Sequence, residues 1–120
     1  MIIIGREDEE ELFSRIGKKR GSVVAYFGYV REFAHGRKVR GMICGEKRES
    51  RELMEKIEKE IMEKFPVERV ILYHSVGSLK IGELLAAVLV SSLHRQEAFE
   101  ACRYGIDRIK ELEPVKREEF

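Results

Sequence analysis

The sequence has no long apolar run, no excess of one charge and no secretion signal, and each absence excludes a class of protein. No stretch approaches 18 consecutive apolar residues, so no membrane-spanning helix is predicted. There are 23 Lys and Arg against 22 Asp and Glu, a formal net charge of +1, whereas dedicated nucleic-acid binders usually have a strong basic excess. The apolar start at residues 2–4 runs into acidic residues, unlike a secretory signal. We therefore expect a cytoplasmic protein that binds neither membranes nor nucleic acid.

Cysteines and familiar catalytic motifs are also scarce. The two cysteines, Cys44 and Cys102, lie far apart without C-x-x-C spacing, which predicts two small buried side chains and neither zinc nor a disulfide. His35 has no Cys or carboxylate partner at ligand spacing, so we predict no metal site, and His74 is interpreted as structural. The sequence contains no G-x-S-x-G, G-x-x-x-x-G-K-[ST] or G-x-G-x-x-G motif, which argues against hydrolase-triad, P-loop and dinucleotide chemistry.

The residues that are present predict one domain over residues 1–120. The chain is 43% hydrophobic, enough for a core, and has no repeat, linker or low-complexity segment. Charged residues make up 38%, and Glu alternates with Lys through residues 55–65. Such interleaving is typical of surface ion networks in heat-adapted proteins, so we expect a thermophilic source.

Hydrophobic periodicity predicts three helices and five strands. The order α-β-β-α-β-β-β-α predicts a single α+β domain, with a mostly antiparallel sheet and flanking helices. Gly28 within the first strand indicates a bulge or a close backbone approach. The predicted helices cover residues 8–19, 48–65 and 94–112, and the strands cover 22–31, 39–44, 69–74, 84–91 and a hairpin segment at 76–81.

The segment Ser91-Ser92-Leu93-His94-Arg95 is the most informative for function. It leaves an apolar strand and enters a helix, where Ser91 or Ser92 could cap the first turn and free N–H groups would favour an anion. Arg95 could add a bidentate phosphate contact, and His94 could donate to the same anion or carry a proton. Alternatively, His94 caps the helix and Arg95 pairs with a glutamate; spacing alone leaves both interpretations open.

Further basic residues lie near the end of the chain and after the first long strand. Lys110 falls late in the last helix, where the helix dipole alone explains a lysine. Pro114 ends that helix and lets a tail with Lys116 and Arg117 fold back. Arg31 closes the first long strand and is either a solvated strand end or a phosphate ligand.

Five ordered motifs carry a family resemblance. They are F-G-x-V-R at 27–31, G-R-x-V at 36–39, H-x-V-G-x-L-x-x-G-E at 74–83, H-R-x-x-A-F-E-A-C-R-Y-x-I-D-x-x-K at 94–110 and P-x-K-x-E at 114–118. From Gly21 onward the chain resembles the molybdopterin synthase catalytic (large) subunit family. The block at 94–110 is the specific part, because the glycine spacings alone would not identify a family.

The resemblance implies an activity and partners. A small ubiquitin-like subunit would bring a C-terminal thiocarboxylate, and sulfur would pass to cyclic pyranopterin monophosphate to form the molybdopterin dithiolene. The pterin is the substrate, so no cofactor is expected. The implied assembly is a homodimer flanked by two small subunits, which makes a heterotetramer. The implied site residues are Lys110 and Lys116 as catalytic, and Arg31, His94, Arg95, Arg117 and Glu118 as substrate-binding.

Helix geometry then predicts how the site is assembled. Sixteen residues of continuous helix separate the backbones of His94 and Lys110 by about 24 Å. Either the helix breaks, with Gly105 as the weak point, or His94 and Arg95 of one copy face Lys110 of another. A two-fold dimer, which the resemblance also implies, favours the shared site.

Two other functions stay open at this point. A non-catalytic paralogue that only docks the ubiquitin-like partner is suggested by the shortened tail without tryptophan, whereas the presence of His94, Arg95 and Lys110 opposes it. A nucleic-acid-binding module has only Lys18, Lys19 and Arg20 in its favour.

Overall fold

The computed structural model describes all 120 residues as three helices and nine strands. In chain order the elements are β1 (Ile2–Gly5), α1 (Glu9–Arg15), β2 (Ser22–Tyr29), β3 (Phe33–Ala34), β4 (Arg37–Lys38), β5 (Gly41–Glu46), α2 (Ser50–Lys64), β6 (Arg69–Ser75), β7 (Gly77–Lys80), β8 (Leu84–Ser92), α3 (Arg95–Leu112) and β9 (Val115–Glu119).

A four-stranded sheet in the order β1-β6-β8-β2 forms the centre of the fold. Strand β1 runs parallel to β6, while β6–β8 and β8–β2 are antiparallel. A second sheet, in the order β7-β5-β9, is antiparallel throughout, and β3 and β4 form a separate hairpin. The predicted α+β class with a mostly antiparallel sheet is confirmed.

Strand β8 is apolar along most of its length because it is buried on both faces. All nine of its residues are buried. On one face, Val88 and Val90 pack in a cluster with α2 and α3. On the other, Ala87 and Leu89 pack with Leu12 of α1. Alternate residues of one strand therefore form two cores.

Three parts of the strand prediction need correction. The predicted order of elements does not include β1, the β3–β4 hairpin or β9. Strand β1 has four residues, and β3 and β4 have two each. None of the three is long enough to show a hydrophobic period. Strand β9 is Lys-Arg-Glu-Glu after Val115 and lies at the edge of its sheet. Charged residues suit an exposed edge but have low strand propensity, so the sequence does not indicate this strand.

The ends of α3 also differ from expectation. Ser91 and Ser92 belong to β8 and do not cap the helix; His94 is the N-cap residue, and its side chain makes no capping hydrogen bond. The helix does not break at Gly105. A Cβ atom there would lie 3.2 Å from side-chain atoms of Ile61 and Val88, so glycine permits close packing of α3 on α2 and β8. None of the three helices has both the length and the apolar character needed to cross a bilayer.

A buried serine ties the chain after α3 to the start of α2. Ser50 is fully buried; its Oγ donates to the carbonyl oxygen of Pro114 at 2.5 Å and accepts from the backbone N–H of Lys47 at 2.7 Å. The two bonds fix the point from which β9 departs, and so the placement of the tail.

We therefore predict that Ser50→Ala lowers the free energy of unfolding by about 1–3 kcal/mol, because it leaves a buried carbonyl and N–H unpaired. Denaturant unfolding measures the change. The control is Ser14→Ala, which removes an exposed hydroxyl bonded to the carbonyl of Glu11 and should change stability by less than about 0.5 kcal/mol. Equal effects of the two substitutions would contradict a structural role for Ser50.

Candidate functional site

A cleft of about 590 Å³ opens where the end of α3 meets β9, β5 and the residues after β2. Its apolar floor includes Met42 and Leu85, and Val115 lies beside them. The lining also contains five basic residues and two carboxylates: Arg31, Lys47, Lys110, Lys116, Arg117, Glu113 and Glu119.

The positive charge of this cleft is not neutralised by the protein. None of the five basic residues takes part in the nine ion pairs of the structure. Of the two carboxylates, Glu119 faces His35 at 3.7 Å. A concave surface with an excess of unpaired cations attracts an anionic ligand.

Several elements of the fold place the cations. Arg31 follows β2 just beyond a register shift between Gly28 and Tyr29, so the irregularity expected at Gly28 is present. Lys110 lies in the last turn of α3. Glu113 then takes a left-handed conformation, with φ 46°, and the chain turns back into β9, which carries Lys116 and Arg117.

The structure brings together only some of the residues predicted for the site. Arg31, Lys110, Lys116 and Arg117 all line the cleft, whereas Glu118 does not. Glu118 is exposed and stands opposite Ile43 in the β5–β9 register.

His94 and Arg95 lie at the other end of α3, outside the cleft of their own chain. Both side chains are exposed, and Arg95 forms no ion pair with a glutamate. Leu93 and Phe99 beside them are each 61% exposed. The beginning of α3 is thus a basic pair flanked by uncovered apolar side chains.

His74 is a cleft residue whose contact the sequence did not reveal. Its ring is fully buried at the end of β6 and lines the cleft. Nδ1 lies 2.9 Å from the carbonyl oxygen of Ser75, and Nε2 lies 3.2 Å from Nε of Arg117. Because an arginine can only donate, Nε2 accepts and Nδ1 carries the proton.

Burial lowers the pKa of His74 from 6.5 to about 4; the charge of Arg117 also lowers it, and the bond to Ser75 opposes the shift. The ring is therefore neutral at physiological pH. It acts as a hydrogen-bond acceptor and not as an acid.

Lys47, Glu119 and Tyr29 also line the cleft without having been predicted. Lys47 and Tyr29 adjoin strand ends, and only the tertiary fold shows that those ends meet. Glu119 lies on β9, which the sequence does not indicate as a strand, so no signal singled it out from Glu118.

The two cysteines are free and buried, as predicted. Burial raises the pKa of the Cys44 thiol, an effect that Arg117 and Arg6 partly offset. Burial also raises the pKa of Cys102, to about 11. Both thiols stay protonated, so neither is an activated nucleophile.

A family model described as "MoaE protein" matches residues 6–112. The chain is 36% identical over 112 residues to the molybdopterin synthase catalytic subunit of Pyrococcus abyssi, covering 92% of this chain and 76% of the relative. It is 37% identical over 100 residues to the subunit of that name from Pseudomonas aeruginosa, covering 82% and 67% of the two chains.

Solved structures with a similar fold include proteins with related names. The fold is similar to that of molybdopterin synthase from Staphylococcus aureus, with a TM-score of 0.87 and 31% identity over 99% of this chain and 88% of that one. A complex of subunits 1 and 2 of molybdopterin-converting factor from Helicobacter pylori has a TM-score of 0.76 at 20% identity, covering 98% and 82%, and supports the fold alone.

The pKa of His74 predicts how stability depends on pH. Between pH 6.5 and about 4 the unfolded chain binds a proton at this ring and the folded chain does not, so acid favours unfolding. Relative to His74→Gln, the free energy of unfolding of the wild type should fall on acidification through this window, by up to about 3 kcal/mol. Denaturant unfolding at a series of pH values measures the difference. Parallel curves for the two proteins would show that the ring is not held neutral.

Proposed function

The chain belongs to the MoaE protein family, and on that premise we propose that it is the catalytic subunit of a molybdopterin synthase. The reaction proposed is the successive transfer of two sulfurs, each from the thiocarboxylated C-terminus of a small ubiquitin-like subunit, to cyclic pyranopterin monophosphate, which becomes the dithiolene of molybdopterin. The observation that carries the proposal is the cleft with five unpaired cations. A thiocarboxylate and a phosphate are both anions, and the cleft can attract both.

Four of the five cations divide into two roles. Arg31 and Arg117 present guanidinium groups, which can bind a phosphate in bidentate fashion. Lys110 and Lys116 present compact ammonium groups, which suit the acyl group of the thiocarboxylate. There an ammonium can polarise the carbonyl oxygen, or protonate a departing group, while water adds to the acyl carbon and the carbon–sulfur bond breaks. The sulfur stays on the pterin, and the small subunit is left with a carboxylate.

His94 and Arg95 enter the proposal through a second copy of the chain. They lie about 24 Å along a straight helix from Lys110, too far for one copy to bring both ends to one small substrate. In a two-fold dimer each copy supplies His94 and Arg95 to the cleft of the other, which gives two equivalent sites. The apolar side chains of Leu93 and Phe99 offer surface for such a contact.

The partner follows from the same proposal. The proposed reaction requires a small subunit that carries the thiocarboxylate, and that subunit is the partner proposed here. Two small subunits on a dimer would make a heterotetramer. The reaction as proposed requires no bound cofactor. Cytoplasmic location and a thermophilic source stay predictions from the sequence.

The proposal is tested by reconstitution with a thiocarboxylated small subunit and cyclic pyranopterin monophosphate. We expect dithiolene product from the wild type. Lys110→Ala should lose more than about 99% of turnover, because the ammonium that polarises the acyl carbonyl oxygen is gone. The melting temperature should barely move, since Lys110 is exposed and a lysine at a helix end contributes only tenths of a kcal/mol.

Lys56→Ala is the matched control, because Lys56 is exposed on α2 and lies outside the cleft; it should retain full turnover. A wild-type protein that binds the small subunit but forms no product would overturn the proposal in favour of a docking paralogue. Full activity of Lys110→Ala would contradict the role given to that residue.

The shared site is tested by mixing two inactive variants, Lys110→Ala and Arg95→Ala, under conditions where subunits exchange. Random pairing makes about half of the dimers mixed, and each mixed dimer has one intact site of two. About a quarter of wild-type activity should therefore return. Confirmed exchange without recovery of activity would show that each site is built within one copy.

A further inference from the structure

The structure holds two arginines in contrasting ways. Arg108 of α3 is bound by carboxylates, donating to Glu60 at 2.9 Å and to Glu111 at 3.0 Å, so its charge is balanced within the protein. Arg117 of β9 is bound by a ring nitrogen of His74 and by no carboxylate. The charge of Arg108 is therefore neutralised inside the fold, whereas the charge of Arg117 is not.

Toward Arg117, the His74 ring can only accept a hydrogen bond. His74 stands opposite Ala86 in the β6–β8 register, and Ala86 belongs to the buried cluster between the two sheets that also contains Cys44. Cys44 stands opposite Arg117 in the β5–β9 register. The ring is thus fixed by a packed core, and its Nδ1–H is already used by Ser75.

The contact also determines which atoms of Arg117 remain available. Nε donates to His74 at 3.2 Å, and neither terminal nitrogen has a hydrogen-bond partner in the protein. A free arginine at a sheet edge would lose side-chain conformational entropy on being ordered by a ligand. An acceptor that holds Nε reduces that loss, and a neutral acceptor does so without cancelling the charge.

We propose that His74 is a positioning residue, which as a neutral acceptor holds the guanidinium of Arg117 so that its two terminal nitrogens face the anionic group of the substrate. The identity of that group, the phosphate of the pterin, rests on the proposed function. The positioning itself rests only on the contact between the two side chains.

The experiment is a double-mutant cycle in the reconstituted enzyme, with KM for cyclic pyranopterin monophosphate as the readout. His74→Leu removes the acceptor and should raise KM about fivefold with kcat little changed; that factor corresponds to about 1 kcal/mol. His74→Gln keeps an acceptor at a similar reach and should return KM to within about twofold of wild type. In an Arg117→Ala background, His74→Leu should have no further effect.

Two results of the cycle would overturn the proposal. An equal rise in KM with and without Arg117 would show that His74 acts through general structure. An unchanged KM in His74→Leu would show that Arg117 needs no positioning.

A spectroscopic readout separates this proposal from the proposed function and from failure of a variant to fold. In the wild type, ¹⁵N NMR of the three histidines should show one neutral ring with the proton on Nδ1, and its Nε2 signal should shift in Arg117→Ala. The Nε–H of Arg117 should exchange slowly with solvent. A His74 ring protonated on Nε2, or an Nε2 signal indifferent to Arg117→Ala, would refute the positioning even if the wild type binds no pterin.

Discussion

The pairing of β9 with β5 is the interaction on which the cleft depends. Five residues of a charged tail, Val115–Glu119, align with Met42–Glu46 in antiparallel register. Val115 is buried, and backbone hydrogen bonds between Gly41 and Phe120 close the far end. Without this pairing Lys116 and Arg117 would lie on a free tail, and one wall of the cleft would be absent.

The straightness of α3 is the second constraint. Its 18 residues pack without interruption on the central sheet because Gly105 lets the helix approach Ile61 and Val88. A helix held in this way places Arg95 and Lys110 on opposite ends of the domain. The packing that stabilises one copy therefore keeps these two residues apart, and the proposed shared site draws on a second copy for that reason.

Much of the fold could be predicted from the sequence, because long amphipathic helices and an apolar strand have strong periodic signals. The three helices and the central strands β2, β6 and β8 were all found at nearly their observed positions. Strand β9 was not found, since the charges that suit an exposed edge also suit a loop. Four of the predicted site residues share a cleft. Arg31 and Lys110 lie at the ends of elements that the sequence predicts, and Lys116 and Arg117 lie on the tail that turns back after α3. The contact between His74 and Arg117 joins residues 43 positions apart, and no local pattern in the sequence reveals it.

A crystal structure of the dimer with cyclic pyranopterin monophosphate bound tests the shared site most directly. We expect the pterin in the cleft of one copy, with its phosphate in reach of Arg117 or Arg31 and with His94 and Arg95 of the second copy against the same molecule. A pterin bound at full occupancy by residues of one copy alone, or outside the cleft lined by Lys110, would contradict it.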